Sequence, residues 1–294
     1  MRVFVTGATG FVGSAVVKEL LGAGHKVLGV ARSDEGAAAL AATGAEVWRG
    51  SLEDPKGLAA GARDCDGVAH LAFNHDFSKF AENGKADAAA IEALGEALAG
   101  TGKPLLVTSG IARLGDGRPG TENDPLPTGL PRFSEPTAEA QIAKGVRAGA
   151  VRLPPITHAD GQGGFANYLV PLAQEKGFAA YIGEGLNRWA GGHRDDAARV
   201  FRLALEKGEA GQRHHAIDEE GVPTRDIAAA IGKRLGVPVK SLSEAEAPEY
   251  FGWFAMFAGL EMSASSAITR ERLGWAPTHR GLLADLAADA QRAG

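Results

Sequence analysis

The sequence predicts an α/β protein in which a parallel sheet with helices on both faces is followed by a smaller carboxyl-terminal lobe. Short apolar runs rich in β-branched residues alternate five times with helical segments, and this order builds parallel βαβ units. The first run meets a turn that contains three glycines. With 294 residues, of which 45% are hydrophobic, the chain can bury the core that such a sheet needs.

The glycine turn is the strongest motif in the chain. A β-prone run ends at Thr6 and meets Gly7, Gly10 and Gly13, and a helix is predicted over 11–21. Gly7 permits a tight turn, Gly10 lets a phosphate approach the backbone, and Gly13 lets the helix lie against the sheet. The free N–H groups at the start of that helix suit a pyrophosphate. The motif therefore predicts a dinucleotide site, and its alternative is a purely structural turn.

The remaining elements follow in an order that extends the same sheet. Strands are predicted over 25–31, 45–49, 67–73, 104–109 and 150–153. Beyond a long loop at 110–135, we expect helices over 136–148, 165–176 and 222–235 and from about 195, with strands over 178–182 and 211–217. The aromatic-rich segment 243–273 is predicted to be helical and to cap the substrate side. The expected nucleotide domain covers 1–155 with return segments around 178–217, and 156–294 mostly form the substrate lobe.

The end of the second predicted strand indicates which dinucleotide binds. Arg32 and Ser33 stand where the adenosine ribose is expected, and Ala31 supplies no carboxylate for a 2′-hydroxyl group. An arginine can pair with a 2′-phosphate, so NADP is predicted, with NAD as the alternative. The other interpretation is a solvated Arg32 beside Asp34 and Glu35.

Composition argues against several classes of partner. A net charge of −5 and a pI near 5.9, without a run of basic residues, predict no nucleic-acid binding. No apolar run approaches the length of a membrane span, and the first strand leaves no room for a signal peptide, so we expect a cytoplasmic protein. The single Cys65 cannot form an intramolecular disulfide. No metal site is predicted, because the pair Asp195 and Asp196 is expected to cap a helix and the triple of His193, His214 and His215 lacks a zinc spacing.

Four stretches carry a resemblance to a known family. They are the glycine motif at 6–13, His70-Leu-Ala-Phe73, His193-Arg-Asp-Asp196 and Leu273-Gly-Trp-Ala-Pro277. In this order they resemble the extended short-chain dehydrogenase/reductase superfamily, of the NAD-dependent epimerase/dehydratase type. The resemblance implies a Rossmann-type domain, a small-molecule substrate held over the nicotinamide by the second lobe, and a possible homodimer. It also implies cofactor contacts at the glycine turn and the strand ends, from Gly7, Thr9, Gly10, Phe11, Val12, Arg32, Ser33, Ser51, Leu52, Leu71, Ala72, Phe73, Thr108, Ser109, Leu153 and Pro154.

The catalytic pattern of that family is missing. Members use a serine at the end of the fifth strand and a Tyr-x-x-x-Lys pair at the start of the next helix, in which the lysine lowers the tyrosine pKa. Here Pro131 falls at the tyrosine position and Glu135 at the lysine position, and the serine position is taken by either Ser109 or Gly110. This departure resembles the atypical branch of the superfamily and leaves the proton donor open.

Two side chains are the candidate replacements, Ser109 and Tyr168, although a tyrosine at 168 is also typical of a core or surface position. His75, His158 and His193 follow strand ends, where an imidazole can act as an acid, but each is also compatible with a structural role. The sequence thus predicts an NADP(H)-dependent oxidoreductase acting on a small, fairly apolar carbonyl compound. The alternative is a non-catalytic NADP(H)-binding sensor.

Overall fold

The computed structural model describes residues 1–76, 79–112, 114–115, 117–127, 129 and 132–288, and Pro131 lies outside them. The strands are β1 Arg2–Thr6, β2 Lys26–Ala31, β3 Glu46–Arg49, β4 Gly67–His70, β5 Pro104–Gly110, β6 Arg147–Leu153, β7 Ile156–His158, β8 Ala179–Ile182, β9 Arg188–His193, β10 Arg213–His215, β11 Glu219–Pro223 and β12 Val239–Leu242. The helices are α1 Phe11–Gly22, α2 Asp34–Ala42, α3 Pro55–Ala62, α4 Phe80–Leu98, α5 Ser134–Ile142, α6 Ala166–Lys176, α7 Arg194–Lys207, α8 Thr224–Leu235, α9 Ala247–Phe251, α10 Ala255–Ala258, α11 Ala267–Leu273 and α12 Leu282–Leu286.

Within these ranges the central sheet has seven strands in the order β10-β6-β5-β4-β1-β2-β3, and every pair is parallel. Side chains of α1 and α7 are buried with one face of the sheet, and side chains of α3, α4 and α5 with the other. This confirms the predicted doubly wound α/β fold. The strand order reverses between β1 and its neighbours β2 and β4, so a ligand crevice is expected at the carboxyl ends of these strands.

The second lobe is built around two small sheets. One has the order β11-β9-β7 and the other pairs β12 with β8. Aromatic side chains from α6, α9 and the segment after it fill the core of the lobe, together with apolar residues of α8. Of the predicted return segment, α7 and β10 join the nucleotide domain, whereas β8 and β9 pair with strands outside the central sheet.

Some predicted boundaries are wrong for identifiable reasons. The helix predicted over 136–148 ends at Ile142, because Gly145 has a left-handed φ of 76° and Arg147 already pairs with Pro104 as strand β6. The segment 243–273 is not one helical region. Gly252 turns the chain at a φ of 56°, and Met262 and Ala264 form strand-like bridges. No helix of the described chain is both long and apolar enough to cross a bilayer.

Candidate cofactor and active site

The glycine turn has the close backbone contacts that a dinucleotide turn requires. Gly7 has a φ of 65°, and a Cβ atom there would lie 2.7 Å from the amide nitrogen of Ala72. A Cβ at Gly13 would lie 1.9 Å from the carbonyl oxygen of Gly7, whereas one at Gly10 would lie 3.1 Å from the same atom. The reason for Gly13 therefore differs from the expected one, because this residue faces the turn itself rather than the sheet. Gly10 is the position with room at the surface of the turn.

The N-terminus of α1 is open to an anion. Gly10 is its N-cap, in an extended conformation, and no side chain caps the helix or places an acidic group in its first turn. The backbone N–H groups of this first turn and the positive end of the helix dipole therefore suit a pyrophosphate. Phe11 begins the helix with its ring covered by Arg194 at 4.8 Å, and Val12 packs against the core cluster behind it.

The turn after β2 is held by an arginine that the sequence analysis did not single out. Arg49 donates from Nη1 to the carbonyl oxygen of Ser33 at 2.5 Å and from Nη2 to that of Arg32 at 2.9 Å. Ser33 caps α2 by accepting from the amide of Gly36. Within the described chain the exposed Arg32 side chain makes no hydrogen bond or ion pair, so its guanidinium is available to a ligand. Thr9 packs beside this turn, with its methyl 3.5 Å from a Cβ built at Gly36.

Two further predicted contacts lie in the turn after β3. Ser51 accepts from the amide of Asp54 through its carbonyl oxygen, and Leu52 packs against the core cluster on the α3 side of the sheet. The hydroxyl of Ser51 also lowers the pKa of Glu53 by hydrogen bonding. The β3 end thus stands beside the Arg32 turn, at the edge of the crevice expected to hold adenosine.

A buried hydrogen-bond chain starts at the end of β1. The hydroxyl of Thr6 accepts from the amides of Leu71 and Ala72, both at 3.1 Å, and lies 2.9 Å from Nδ1 of His70. Because the oxygen already accepts twice, its proton points to Nδ1, and Nε2 of His70 donates to Asp87 at 3.1 Å. These hydrogen bonds hold the end of β4 beside the glycine turn.

The chain of hydrogen bonds continues to the start of α5. Asp87, only 1% exposed, accepts from the hydroxyl of Ser134 at 2.6 Å, and Ser134 accepts from Nε of Arg132 at 3.0 Å. Nη2 of Arg132 donates to the carbonyl of Thr108 at 2.9 Å, and its Cζ lies 4.0 Å from the ring centre of Phe73. Three strand ends and α5 thus meet at one place at the carboxyl edge of the sheet.

The residue predicted to stand at the family's lysine position, Glu135, forms buried ion pairs. Glu135 is 4% exposed and accepts from Nε and Nη2 of the fully buried Arg152 at 2.7 and 2.8 Å, and from Arg213 at 3.2 Å. Burial would raise the pKa of Glu135, but the Arg152 hydrogen bonds and charge outweigh it and hold that pKa below its usual range. Ser109 is 3% exposed on the same side, next to this carboxylate.

Tyr168 lies in the aromatic core of the second lobe. Its hydroxyl donates to the carbonyl oxygen of Phe251 at 2.8 Å, and its ring packs against Trp253 and Phe254. Burial raises its pKa, which makes the phenol a weaker acid. This arrangement favours the structural interpretation of Tyr168, and its catalytic role stays a prediction.

The histidines predicted as candidates have structural partners. His158 is fully buried and its Nδ1 lies 3.1 Å from Asp285. Nδ1 of His193 accepts from the amide of Asp195 and so caps α7, which corrects the expected capping by Asp195 and Asp196. Ligand atoms of His193, Asp196 and His279 lie within 4.8 Å of one another. However, the rings of His193 and His279 are stacked, and Asp196 already accepts from the amide of His279. Contacts within the protein therefore already account for this grouping.

The last two predicted contacts lie at the end of β6. The carbonyl oxygen of Leu153 accepts from the amide of Ile111, and Pro154 packs 3.4 Å from a Cβ built at Gly192. Leu71 and Ala72 lie beside the glycine turn, whereas Phe73 and Thr108 both contact Arg132. Sequence reasoning missed Arg132 and Asp87, since no local motif relates two residues that are 45 positions apart.

Comparison with known proteins supports the same site. A family model described as NAD(P)H-binding matches residues 7–143. An uncharacterized protein of Schizosaccharomyces pombe is 50% identical over 293 residues, 99% of each chain, and one of Saccharomyces cerevisiae is 42% identical over 98% of this chain and 99% of its own. Two crystal structures, a dTDP-glucose 4,6-dehydratase of Streptomyces venezuelae with NAD bound and a nucleoside-diphosphate-sugar epimerase of Pseudomonas aeruginosa, superpose with TM-scores of 0.78 and 0.77.

The chain belongs to the same family as these two uncharacterized proteins, its residues 7–143 match the NAD(P)H-binding model, and it has the fold of the dehydratase and the epimerase. The dehydratase covers 99% of this chain and 96% of its own, and the epimerase 97% and 95%, each at 21% identity. A more distant relative, the 4-hydroxy-2-methyl-3-oxo-4-farnesyl-3,4-dihydroquinoline-1-oxide ketoreductase of Stigmatella aurantiaca, is 28% identical over 81% of this chain and 74% of its own. The amino-terminal half is therefore an NAD(P)-binding domain.

Proposed function

We propose that this protein is an NADP(H)-dependent oxidoreductase that acts on a small carbonyl compound. The observation that carries the proposal is the group of Phe73, Thr108 and Arg132, which meet at the carboxyl ends of β4 and β5 beside an open glycine turn. This place is the crevice in which a doubly wound sheet binds the reacting half of a dinucleotide. The ketoreductase relative supports the class of reaction.

The preference for NADP(H) rests on the β2 end. Arg32 is exposed and makes no hydrogen bond or ion pair within the described chain, although its charge lies near that of Glu53, and Arg49 anchors the backbone beneath it. A guanidinium on an anchored turn can form a bidentate pair with a 2′-phosphate. Asp34 does not compete for Arg32, because its carboxylate lies 3.0 Å from Arg49 instead.

Each part of the site has a distinct task in this proposal. Bound NADP(H) supplies or takes up the hydride. The amides that follow Gly10 hold the pyrophosphate, and Thr6 keeps the β4 end next to the turn. Phe73 offers an apolar surface against which a substrate can pack. No side chain at the tyrosine and lysine positions supplies a proton, since Glu135 is held by Arg152.

The second candidate is a nucleotide sensor that binds NADP(H) without catalysis. The ion pairs of Glu135 with Arg152 and Arg213 favour it, because they replace the lysine of the family by a group that cannot lower the pKa of a phenol. A sensor of this kind binds the cofactor normally and turns over no carbonyl compound.

The experiment is a measurement of NADPH oxidation with a panel of aldehydes, ketones and enones. The proposal predicts saturable turnover with at least one compound and a lower KM for NADPH than for NADH. Tyr168→Phe should keep turnover within about tenfold, because its hydroxyl binds the lobe, whereas loss of a true general acid costs about 10²–10⁴-fold. Cofactor binding without turnover of any compound in the panel would support the sensor.

A further inference from the structure

Arg132 places a cation at the carboxyl ends of β4 and β5. Its Nη2 is bonded to the carbonyl of Thr108 near the end of β5, and its guanidinium covers the ring of Phe73 after β4. In the sheet β4 lies next to β1 and β5 lies next to β4. The guanidinium therefore stands one to two strands from the glycine turn, on the side opposite the Arg32 turn.

The guanidinium is oriented by buried partners. The Ser134 hydroxyl accepts a hydrogen bond from Nε and donates one to Asp87, so both of its hydrogen-bond directions are fixed. Asp87 is held in turn by His70. Since Ser134 and Asp87 are at most 1% exposed, the plane of the guanidinium is set before a ligand arrives.

One N–H donor group of Arg132, at Nη1, has no acceptor within the described chain. Within the described chain its Nη1 makes no hydrogen bond, although Nε and Nη2 do. Burial lowers the pKa of Arg132, and the charges of Asp87 and Glu135 oppose that change, so the side chain stays a cation at neutral pH. A cationic donor in a partly dehydrated place stabilises an oxyanion more strongly than it would in water.

We propose that Arg132 is a catalytic residue that binds the carbonyl oxygen of the substrate and stabilises the alkoxide formed during reduction, in an extension that rests on the proposed oxidoreductase function. The carbonyl carbon gains a C–H bond by accepting a hydride from the reduced cofactor, which is oxidised. The π electrons of the C=O bond move to the oxygen, where the Nη1 proton of Arg132 holds the negative charge. Water then protonates the alkoxide, and the hydroxide formed is neutralised by solvent.

This role explains how the site can operate without the family's tyrosine and lysine. A guanidinium stabilises an oxyanion by charge and hydrogen bonding and does not have to give up its proton. The substrate it fits is an aldehyde or ketone whose apolar substituent packs against Phe73.

The test begins with binding rather than turnover. Butyrate and its neutral isostere butyramide are titrated by calorimetry into the protein saturated with NADP⁺. Wild type should bind butyrate more tightly than butyramide. Arg132→Met should lower the ratio of the butyramide to the butyrate dissociation constant by about tenfold or more, since a charge-assisted hydrogen bond contributes about that much. Arg132→Lys should keep part of it. The matched control is Arg225→Met, because Arg225 is half-exposed on α8 and its side chain forms an ion pair with its neighbour Asp226.

A wild-type complex that binds the acid and the amide equally, or an Arg132→Met complex that keeps the preference, would overturn the proposal. Thermal unfolding of both variants checks the fold, and Arg132→Gln replaces Arg132→Met if the latter is unstable. If no carbonyl compound is reduced, the oxidoreductase function fails, while the butyrate comparison still decides whether Arg132 is an anion-binding group.

The pH profile supplies a second readout. Although burial lowers the pKa of Arg132, the charges of Asp87 and Glu135 oppose that change and the side chain stays a cation at neutral pH, so kcat for carbonyl reduction in wild type should show no loss of a general acid between about pH 6 and 9. Arg132→Met should lower kcat by about 10²–10³-fold, the usual effect of losing an oxyanion donor. A falling limb in this range that persists in Arg132→Met would assign proton donation to another residue and contradict the proposal.

Discussion

Arg32 and Arg49 have different tasks although both stand at the adenosine end of the crevice. Arg49 binds backbone oxygens and Asp34 and is part of the structure of the turn. Arg32 makes no such contact in the described chain and is free to bind a ligand. The sequence identified Arg32, because its place after β2 is local. It did not identify Arg49, whose role depends on the pairing of β3 with β2.

We expect Arg32→Ala to remove most of the preference for NADPH over NADH. A bidentate contact between a guanidinium and a phosphate contributes about 1.5–3 kcal/mol, so the ratio of the two dissociation constants should fall by about tenfold or more. Calorimetric titration of both cofactors measures it. Arg63→Ala, which removes an exposed arginine at the end of α3, is the control and should leave the ratio unchanged. Equal affinities in wild type would refute the NADP assignment.

Substitutions at Gly10 and Gly13 should have different effects, the first on cofactor binding and the second on stability. Gly10→Val adds bulk where the pyrophosphate approaches, but its Cβ meets only the Gly7 oxygen at 3.1 Å, so NADPH binding should be lost while the melting temperature changes little. Gly13→Ala forces a Cβ to within 1.9 Å of that oxygen and should destabilise the protein by about 1–3 kcal/mol. Thermal melts and cofactor titrations of both variants decide it. A Gly10→Val protein with unchanged affinity would show that the turn does not hold the cofactor.

At the scale of elements, the edge strand β10 contains two histidines that are buried in the neutral form. Burial, followed by the nearby charge of Arg272, lowers the pKa of His214 to about 4, and burial lowers that of His215 to about 4. The unfolded chain takes up these protons at about pH 6.5, and the folded chain does so only at about pH 4. Folded stability is therefore complete above about pH 6.5 and is lost as the pH falls toward 4.

We expect His214→Leu to weaken this pH dependence. Wild type should lose up to roughly 3 kcal/mol of stability through His214 between pH 6.5 and 4, and the variant should lose only the part due to His215. Leucine is tolerated because Nδ1 of His214 has no hydrogen-bond partner in the described chain. Urea unfolding at pH 7, 5.5 and 4.5 tests it. Parallel stability curves for the two proteins would contradict the account.

Helix α12 is attached to the second lobe by Asp285. Its Oδ2 atom binds Nδ1 of His158 at 3.1 Å and the amide of Gly161 at 2.9 Å, and Arg280 faces the other oxygen. Burial opposes ionisation, but these contacts outweigh it and lower the pKa of Asp285 to about 2. The carboxylate thus stabilises the fold above about pH 4, and that contribution is lost as the pH falls toward 2.

Asp285→Asn should therefore destabilise the protein at pH 7. Removing one partner of a buried ion pair costs about 3–5 kcal/mol, and the difference from wild type should shrink below about pH 4. Denaturant unfolding at pH 7 and pH 3 measures it. As a control, Asp226→Asn on α8 removes a half-exposed carboxylate and should change stability by less than about 1 kcal/mol. A difference from wild type that is equally large at both pH values would show that ionisation of Asp285 is not the cause.

The sequence predicted the elements whose signal is local and missed those that depend on distant pairing. The parallel strands of the nucleotide domain are continuous apolar runs between glycine turns, and they lie where they were expected. Strands β7, β9, β11 and β12 were not predicted, since β7 and β12 have at most four residues and β9 and β11 contain glycine or proline. They form only because the second lobe brings them together.

For the whole molecule, the same distinction separates the two halves of the site. The cofactor half follows from one motif within fourteen residues and from strand ends. The substrate half depends on Asp87, Arg132 and Ser134, which are joined across the fold by hydrogen bonds that no spacing in the sequence reveals. Its nearest sequence signal was the predicted absence of the family's tyrosine just before Arg132.

At the scale of the whole molecule, the predicted lysine position holds a group of interacting charges. Glu135 and Arg152 form a buried pair that joins α5 to β6, and Arg213 extends it to β10. Replacing Glu135 by alanine would leave Arg152 buried without a counter-charge, which costs about 3–5 kcal/mol. A loss of activity in that variant would thus report on folding, and proton chemistry is better tested at other positions.

The central claim, hydride transfer between NADP(H) and a carbonyl compound, is tested most directly by isotope transfer. NADPH deuterated on one face of C4 is incubated with the protein and each carbonyl compound, and the products are analysed by mass spectrometry and NMR. One deuterium should appear at the former carbonyl carbon when NADPH is deuterated on one face of C4, and none when it is deuterated on the other. Saturable NADPH binding with no deuterium in any product of a broad panel would contradict it and leave the sensor as the better description.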